Sequence, residues 1–236
     1  MADVSASTER PTIDQVLLEF LDDQQPRLSP RTWRRYADVV ELLRACLNSY
    51  GYQSLPEADR ARWEAAFDTG DEEAFCRLFG PEQIVENYGE FLGYFMVRKV
   101  LAGQELLRTA GTVTRRLAQW LTERGYLDPA PAEVAAARAA EASRDLPRAE
   151  QLATLLHEQA RGTRLDPTTL APGDYIEDCL EIERVQPGAL WFADGIGPVA
   201  VPAKASKLAQ PGWSVTGVLG RSGERWQLLE VGNVYP

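Results

Sequence analysis

The chain has 236 residues, of which 44% are hydrophobic and 25% are charged, a composition typical of globular domains and not of disordered chains. Acidic residues outnumber basic ones by 35 to 25, and a formal charge of -10 excludes a surface that is basic throughout. The three cysteines are far apart and there is a single histidine, so the sequence predicts no disulfide framework, no metal site and no cofactor.

Two further absences bear on where the protein works. No apolar run approaches the ~20 residues that a membrane-spanning helix needs. The first residues, MADVSASTERPT, have neither the basic start nor the apolar stretch of a secretory signal. We therefore expect a cytoplasmic protein with no membrane partner.

Helical patterns begin close to the N-terminus. Hydrophobic residues recur every three or four positions in Thr12–Asp23, which predicts an amphipathic helix. A second helix is predicted from Ser29, a favourable N-cap, to Gly51. Ser54 and Glu57 have the spacing of a capping box, which predicts the start of a third helix.

Three further helical segments follow. Glu82–Leu101 is apolar on most sides, which predicts the long central helix of a bundle. Thr112 is a suitable cap for another amphipathic helix, which Gly125 ends. The Ala-rich segment Pro131–Gly162 favours helix, and Pro147 is expected to split it into two pieces.

From about Thr163 the pattern becomes one of short β-strands. Five runs rich in β-branched and aromatic residues are bounded by Pro-Gly, Asp-Gly and Ser-Gly pairs that favour turns. A short helical run, AKASKLA, lies between the third and fourth, an order that predicts a small five-stranded barrel of the OB type, with an SH3-like barrel as the close alternative. The expected fold class is α+β with several domains: a helical bundle over 1–128, an Ala-rich helical linker over 129–172 and the barrel over 173–236.

Two motifs in the helical part carry a family resemblance. Ser29, Thr32 and Tyr36 form the pattern Ser-x-x-Thr-x-x-x-Tyr at the start of a long helix. In TRRLAQWLTERGYLDP a helix is closed by glycine and a hydrophobic residue shortly before a proline. With these motifs, Val16–Gly51 and Thr114–Pro129 resemble the core-binding, SAM-like domain of tyrosine recombinases and phage integrases. The resemblance implies a helical bundle that contacts DNA and a link to mobile elements.

The catalytic part of that family has no counterpart in the pattern. An active recombinase needs paired arginines, a lysine, a His-x-x-Arg box and a nucleophilic tyrosine in a second domain. Here His157 is followed by Glu-Gln-Ala-Arg-Gly, and a small barrel is predicted instead. We therefore expect a protein that is not an enzyme. The segment TVTRRLAQWLTERGYL is also similar to the recognition helix of winged helix-turn-helix regulators, but a helix-forming segment follows it where a wing would need strands.

Basic residues cluster in three places. Residues 104–127 carry four arginines against two glutamates, and residues 28–50 carry four basic residues against two acidic ones. Residues 204–225 of the predicted barrel carry four basic residues and a single glutamate. On the helices, a solvated face is the alternative interpretation. The candidate nucleic-acid-binding residues are Arg31, Arg34, Arg35, Arg115, Arg116, Gln119, Lys204, Lys207, Arg221 and Arg225.

The aromatic residues of the predicted barrel offer a second kind of contact. Small barrels bind single strands by stacking bases on exposed aromatic rings beside cations. A barrel of this size also needs large side chains for its core, so we expect at least three of these four to fill it: Trp191, Phe192, Trp213 and Trp226. Four acidic residues of the first predicted strand, Glu177, Asp178, Glu181 and Glu183, have no histidine beside them and are interpreted as a solvated edge.

Two functions fit these patterns. The leading hypothesis is a non-catalytic nucleic-acid-binding protein linked to a mobile element, with DNA as its partner. The rival is a protein-interaction or adaptor module whose acidic surface and barrel bind a partner chain. Residues 55–79, with seven acidic and three basic residues, favour the rival because they would repel DNA.

Overall fold

A computed structural model describes residues 10–100 and 103–236 of the chain. Helices occupy most of the chain before the barrel, and a closed five-stranded β-barrel follows, which confirms the α+β layout. The α-helices within the described residues are α1 (Ile13–Gln24), α2 (Pro30–Tyr50), α3 (Glu57–Phe67), α4 (Ala74–Leu78), α5 (Glu82–Glu86), α6 (Tyr88–Glu90), α7 (Met96–Arg98), α8 (Gln104–Glu123), α9 (Pro129–Gly162) and α10 (Ala203–Leu208).

Side-chain hydrogen bonds fix the starts of the first two helices where the sequence predicts them. The Thr12 hydroxyl accepts from the backbone N–H of Gln15, and the Gln15 side chain accepts from the backbone N–H of Thr12. Ser29 caps α2 by accepting from the backbone N–H of Thr32 at 3.2 Å. These bonds satisfy N–H groups that have no partner inside the helix.

The capping box predicted at Ser54 is wrong. Ser54 lies inside a 3-10 turn, where its hydroxyl donates to the carbonyl of Gly51 at 2.9 Å and its oxygen accepts from the Asn87 side-chain amide at 3.3 Å. The N-cap of α3 is Pro56, without a side-chain hydrogen bond. Further 3-10 turns cover Gln25–Arg27 and Pro167–Thr169.

The continuous helix predicted over Glu82–Leu101 is also wrong, although Leu101 itself lies outside the described residues. The chain there forms the short helices α5, α6 and α7, with a π-helical turn at Phe91–Phe95. Asn87 ends α5, because its side-chain amide donates at 2.8 Å to the carbonyl of Gln83, the group that the next helical N–H would use.

Pro147 lies inside α9, so the prediction that it splits this segment is wrong. The helix is continuous over 34 residues. A proline inside a helix costs about 3 kcal/mol. Leu146, Ala149, Leu152 and Leu156 lie on either side of it and are at most 2% exposed, and their burial offsets this cost.

The chain divides into two compact units. The helical unit consists of the residues up to Phe91 together with Thr109–Ala140, and the barrel unit consists of Leu92–Arg108 and Glu141–Pro236. The helical unit has thirteen basic and twenty-one acidic residues, whereas the barrel unit has twelve and fourteen. Most of the negative charge therefore belongs to the helical unit. The domain boundaries predicted from the sequence stay a prediction.

The core of the helical unit includes the apolar stripe of α8. Leu117 is fully buried and Trp120 is 1% exposed. The Trp120 ring packs edge-on against Phe20 of α1 at 5.5 Å, and its indole N–H donates to Asp23 at 2.8 Å. Arg124 pairs with the same carboxylate, and its guanidinium lies 5.5 Å from the centre of the indole ring. Polar contacts with Asp23 of α1 therefore accompany the packing of Trp120 on Phe20.

The barrel closes in the order β1-β2-β3-β5-β4, with β4 paired back to β1. All neighbouring pairs are antiparallel except β3 with β5, which are parallel and joined by one residue pair, Val199 with Trp226. Helix α10 lies between β3 and β4, as predicted. The strands are β1 (Tyr175–Gln186), β2 (Ala189–Phe192), β3 (Ile196–Ala200), β4 (Ser214–Ser222) and β5 (Arg225–Tyr235).

The barrel core includes part of α9. Leu152 and Leu156 are fully buried in the same apolar cluster as Phe192 and Leu219. This half of α9 is therefore a packed component of the barrel unit.

Candidate nucleic-acid interface

Strand β2 places its large side chains on opposite sides of the barrel wall. Leu190 and Phe192 are fully buried in the core, and Trp191 between them is half-buried on the outer surface. Arg184 of β1 is the cross-strand partner of Trp191, and its guanidinium carbon lies 4.0 Å from the centre of the ring. This is a close cation–π contact on the outside of the barrel.

Three of the four barrel aromatics contribute to the core, as expected. Phe192 and Trp213 are buried in it and the half-buried Trp226 packs against it, whereas Trp191 is half-buried on the outer surface. Trp191 faces outward because side chains alternate along β2. Trp226 is the second residue of β5, next to a turn, and Arg221 lies 5.2 Å from the centre of its ring.

A groove of about 530 Å³ lies on the outer surface of the barrel unit, where β2, β3 and the start of β5 meet. Apolar and amide side chains dominate its walls, with one arginine, and no acidic residue is among the described residues that line it. The strand residues of the lining are Ala189, Pro198, Ala200, Arg225, Trp226 and Gln227.

The end of α9 forms the remaining wall of this groove. Gln159 and Thr163 line it, and the Gln159 amide donates to the backbone carbonyl of Ala200 in β3. Arg225 is exposed and makes no ion pair within the part of the chain that the structure describes. The groove therefore carries an uncompensated positive charge.

A different side of the barrel is acidic. Glu177 and Asp178 of β1 and Glu230 of β5 are exposed around a separate depression. Across residues 10–100 and 103–236, no group of three or more histidine, cysteine or acidic side chains could hold a metal ion. The separate depression thus has three carboxylates around it, whereas the described lining of the groove has none.

Only one of the four predicted barrel cations lines the groove. Arg225 does, whereas Lys204 and Lys207 are exposed on α10 and are not among the lining residues. Arg221 is held by Asp174, with its Nε 2.7 Å from the carboxylate. Its charge is therefore largely compensated.

The candidates on the helices are spread over α2 and α8. Arg31 and Arg34 are exposed near the start of α2, and Arg35 is half-buried. Arg115 and Gln119 are exposed on α8. These five residues are accessible at least in part.

Arg116, another candidate on α8, is less accessible than Arg115. It is half-buried and donates two hydrogen bonds to Glu123, at 2.9 and 3.1 Å, and this contact lowers the pKa of the Glu123 carboxyl below its usual value. Burial raises the pKa of Tyr36 on α2, while the charges of Arg116 and Arg115 act to lower it. Both arginines therefore lie near Tyr36, but one of them is already neutralised.

Sequence reasoning missed three residues of the barrel site. Arg184 had a detectable signal, because the Pro187–Gly188 turn sets a hairpin register that brings Arg184 opposite Trp191. Gln159 and Gln227 had none, since their positions depend on how α9 and β5 pack in three dimensions.

Within the described residues, none of the helices combines the length and the apolar character that crossing a bilayer requires. Comparisons of the chain with protein-family models, with curated proteins and with solved structures found no match.

Proposed function

We propose that the protein is a non-catalytic nucleic-acid-binding protein, and that a single strand binds on the outer face of the barrel. The observation that carries this proposal is the half-exposed Trp191 ring, over which Arg184 lies. Trp191 is on the same strand as Ala189, which lines the groove, and none of the described residues that line this groove is acidic.

The chemistry of this face suits unpaired bases. Proteins hold single strands by stacking bases on aromatic rings within a positively charged channel, and arginine adds to the stack. Arg184 and Trp191 provide such a stack, and Arg225 provides a cation for a phosphate. In a chain of net charge -10, a polyanion meets less repulsion at the groove, because none of the described residues that line it is acidic.

We infer that the barrel is of the OB type and not SH3-like. The strand order β1-β2-β3-β5-β4, with a helix between β3 and β4, supports this assignment. Barrels of this type bind oligonucleotides on the face of their second and third strands and with the β1–β2 and β4–β5 loops. Trp191 lies on β2, Pro198 on β3 and Arg225 directly after the β4–β5 turn, which favours the same face here.

Fluorescence anisotropy with a labelled oligothymidylate of about twenty nucleotides tests this proposal. We expect binding at low salt that weakens as salt rises, with a log–log slope of about 0.7 for each phosphate neutralised. Trp191→Ala is expected to weaken binding by about 1–3 kcal/mol, the usual contribution of one stacked base. Arg184→Lys keeps the charge and loses the planar stack, so it should keep the salt slope and lose affinity.

The matched control is Arg144→Ala, which removes one exposed arginine from the same unit away from the groove. It should leave affinity and salt slope close to the wild-type values. Binding that Trp191→Ala and Arg184→Lys leave unchanged would contradict the proposal, as would the absence of binding at low salt.

The resemblance of the helical part to integrase core-binding domains stays a prediction. The exposed Arg31, Arg34 and Arg115 are the residues that it makes candidates for duplex contacts. A duplex of the same length, compared with the single strand in the same titration, separates this surface from the barrel face.

A second candidate function is a protein-interaction module, favoured by the excess of acidic residues in the helical unit. Tyr52, Trp63 and Phe67 form an aromatic stack at spacings of 4.3 and 5.0 Å, and the Phe67 ring is 44% exposed at its end. A lysine-rich peptide would bind this unit if the second candidate holds, and oligothymidylate would not displace it.

A further inference from the structure

The groove lies along the weakest connection of the barrel wall. Strands β3 and β5 are joined by the single pair Val199–Trp226, whereas the antiparallel strands β4 and β5 pair along most of their length. The groove lining includes Pro198 and Ala200 on one side of this seam and Arg225 and Gln227 on the other. The last turn of α9 is fastened to the seam by the hydrogen bond from Gln159 to the Ala200 carbonyl.

We propose that this groove holds one base of the bound strand and that Gln159 and Gln227 read the edge of that base. The inference rests on the proposed function and adds a base preference to it. The groove has a volume of about 530 Å³, which is within the range of about 300–1,000 Å³ that small-molecule sites occupy, and so it accommodates a base with its sugar.

The side chains match the parts of a nucleotide. Pro198, Ala200 and Trp226 provide apolar surface for the flat faces of a base. An amide offers both a donor and an acceptor, which is the combination that the polar edges of bases require. Arg225 at the rim is exposed and unpaired within the described residues, and it is suited to the adjoining phosphate.

The side-chain amides of Gln159 and Gln227 differ in how many hydrogen-bonding groups they have available for a ligand. Gln159 uses one of its two N–H donors on Ala200, which fixes the amide and leaves its other N–H and its carbonyl oxygen. Gln227 is half-buried, and its side chain makes no hydrogen bond within the part of the chain that the structure describes. Gln227 thus has both its donor and its acceptor for a ligand, and it is the stronger candidate for reading.

The charge of the lining favours a nucleotide over a basic peptide. A lysine- or arginine-rich segment requires carboxylates, and none of the described residues that line the groove is acidic, whereas Glu177, Asp178 and Glu230 surround a separate depression. The groove combines one cation with neutral polar and apolar groups, which is complementary to one phosphate and one base.

Homopolymers of equal length test the inference, because they carry equal numbers of phosphates and differ only in the base. We expect oligothymidylate, oligodeoxycytidylate and oligodeoxyadenylate to differ in affinity by about five- to tenfold, the effect of one or two hydrogen bonds. Gln227→Ala should reduce this difference to less than about twofold and leave the salt slope unchanged, since no charge is lost. Gln159→Ala should reduce it in part.

The matched control is Gln53→Ala, which removes an exposed amide from the helical unit and should preserve the full difference. A second measurement needs no variant: a strand containing 4-thiothymidine should cross-link to the peptide containing Arg225–Gln227 or to that containing Pro198–Ala200. Equal affinity for all homopolymers, or a base preference that survives Gln227→Ala, would overturn the inference. If binding then still depended on Trp191, the proposed function would stand alone, whereas no binding of any strand would overturn both.

Discussion

Replacement of Trp120 by alanine is expected to lower the free energy of unfolding of the helical unit by about 3–5 kcal/mol, the usual cost of removing a large core side chain. Trp120 is 1% exposed and packs on Phe20 of α1. The substitution also removes the donor to Asp23, but this carboxylate keeps Arg124 as a partner. The lost packing is therefore the main term.

Urea unfolding followed by circular dichroism at the helical wavelength measures this loss. Phe67→Ala is the matched control, because it shortens an aromatic side chain of the same unit that is 44% exposed. A surface change of this kind should cost less than about 1 kcal/mol. If the two variants unfolded at the same urea concentration, the described burial of Trp120 would be wrong.

Two neighbouring residues of β2 are expected to give opposite results. Phe192 is fully buried in the barrel core, so Phe192→Ala should destabilise the barrel unit by about 3–5 kcal/mol. Trp191 faces outward under Arg184, so Trp191→Ala should cost about 1 kcal/mol or less and reduce binding of the single strand instead.

Thermal unfolding measures the stability of the two variants, and anisotropy titration of the same preparations measures their affinity for the single strand. Phe192→Ala should bind oligothymidylate normally at a temperature where it is folded, because it does not reach the outer surface. A Trp191→Ala protein as unstable as Phe192→Ala would mean that the ring supports the fold and not a ligand.

Local patterns predicted those parts of the fold that local interactions decide. The cap at Ser29 depends on a residue three positions away, and the sequence identifies it. The start of the first helix at Thr12 follows from the periodicity of the apolar residues after it. The five strands and the helix between the third and fourth also follow from alternation and turn residues.

The errors occur where distant contacts or competing hydrogen bonds decide the outcome. Periodicity alone does not reveal that Asn87 takes the carbonyl of Gln83 and ends α5. The helix continues through Pro147 because Leu146 and Leu152 are buried on either side of it. Helix propensities do not include such tertiary packing.

The candidate site was predictable in kind but not in composition. The expectation of aromatic rings beside cations on the barrel led to Trp226 and Arg225, both of which line the groove. A count of basic and acidic residues over 204–225 makes Arg221 a candidate, although Asp174 compensates its charge. Charge counts cannot detect such pairing, because it is set by side chains 47 positions apart in the sequence.

Helix α9 determines how the protein can be divided. Ala132, Ala135 and Ala139 are buried in its first part, which belongs to the helical unit, and Leu152 and Leu156 are buried in its second part with the barrel core. A gene fragment that begins at the first strand would leave the apolar partners of these leucines in water, at about 1.5–3 kcal/mol for each leucine lost. A segment that keeps these leucines with the barrel therefore begins within a helix, near Glu141, and not at the loop before the barrel. It still lacks Leu92–Arg108, so the barrel unit is not one continuous stretch of the sequence.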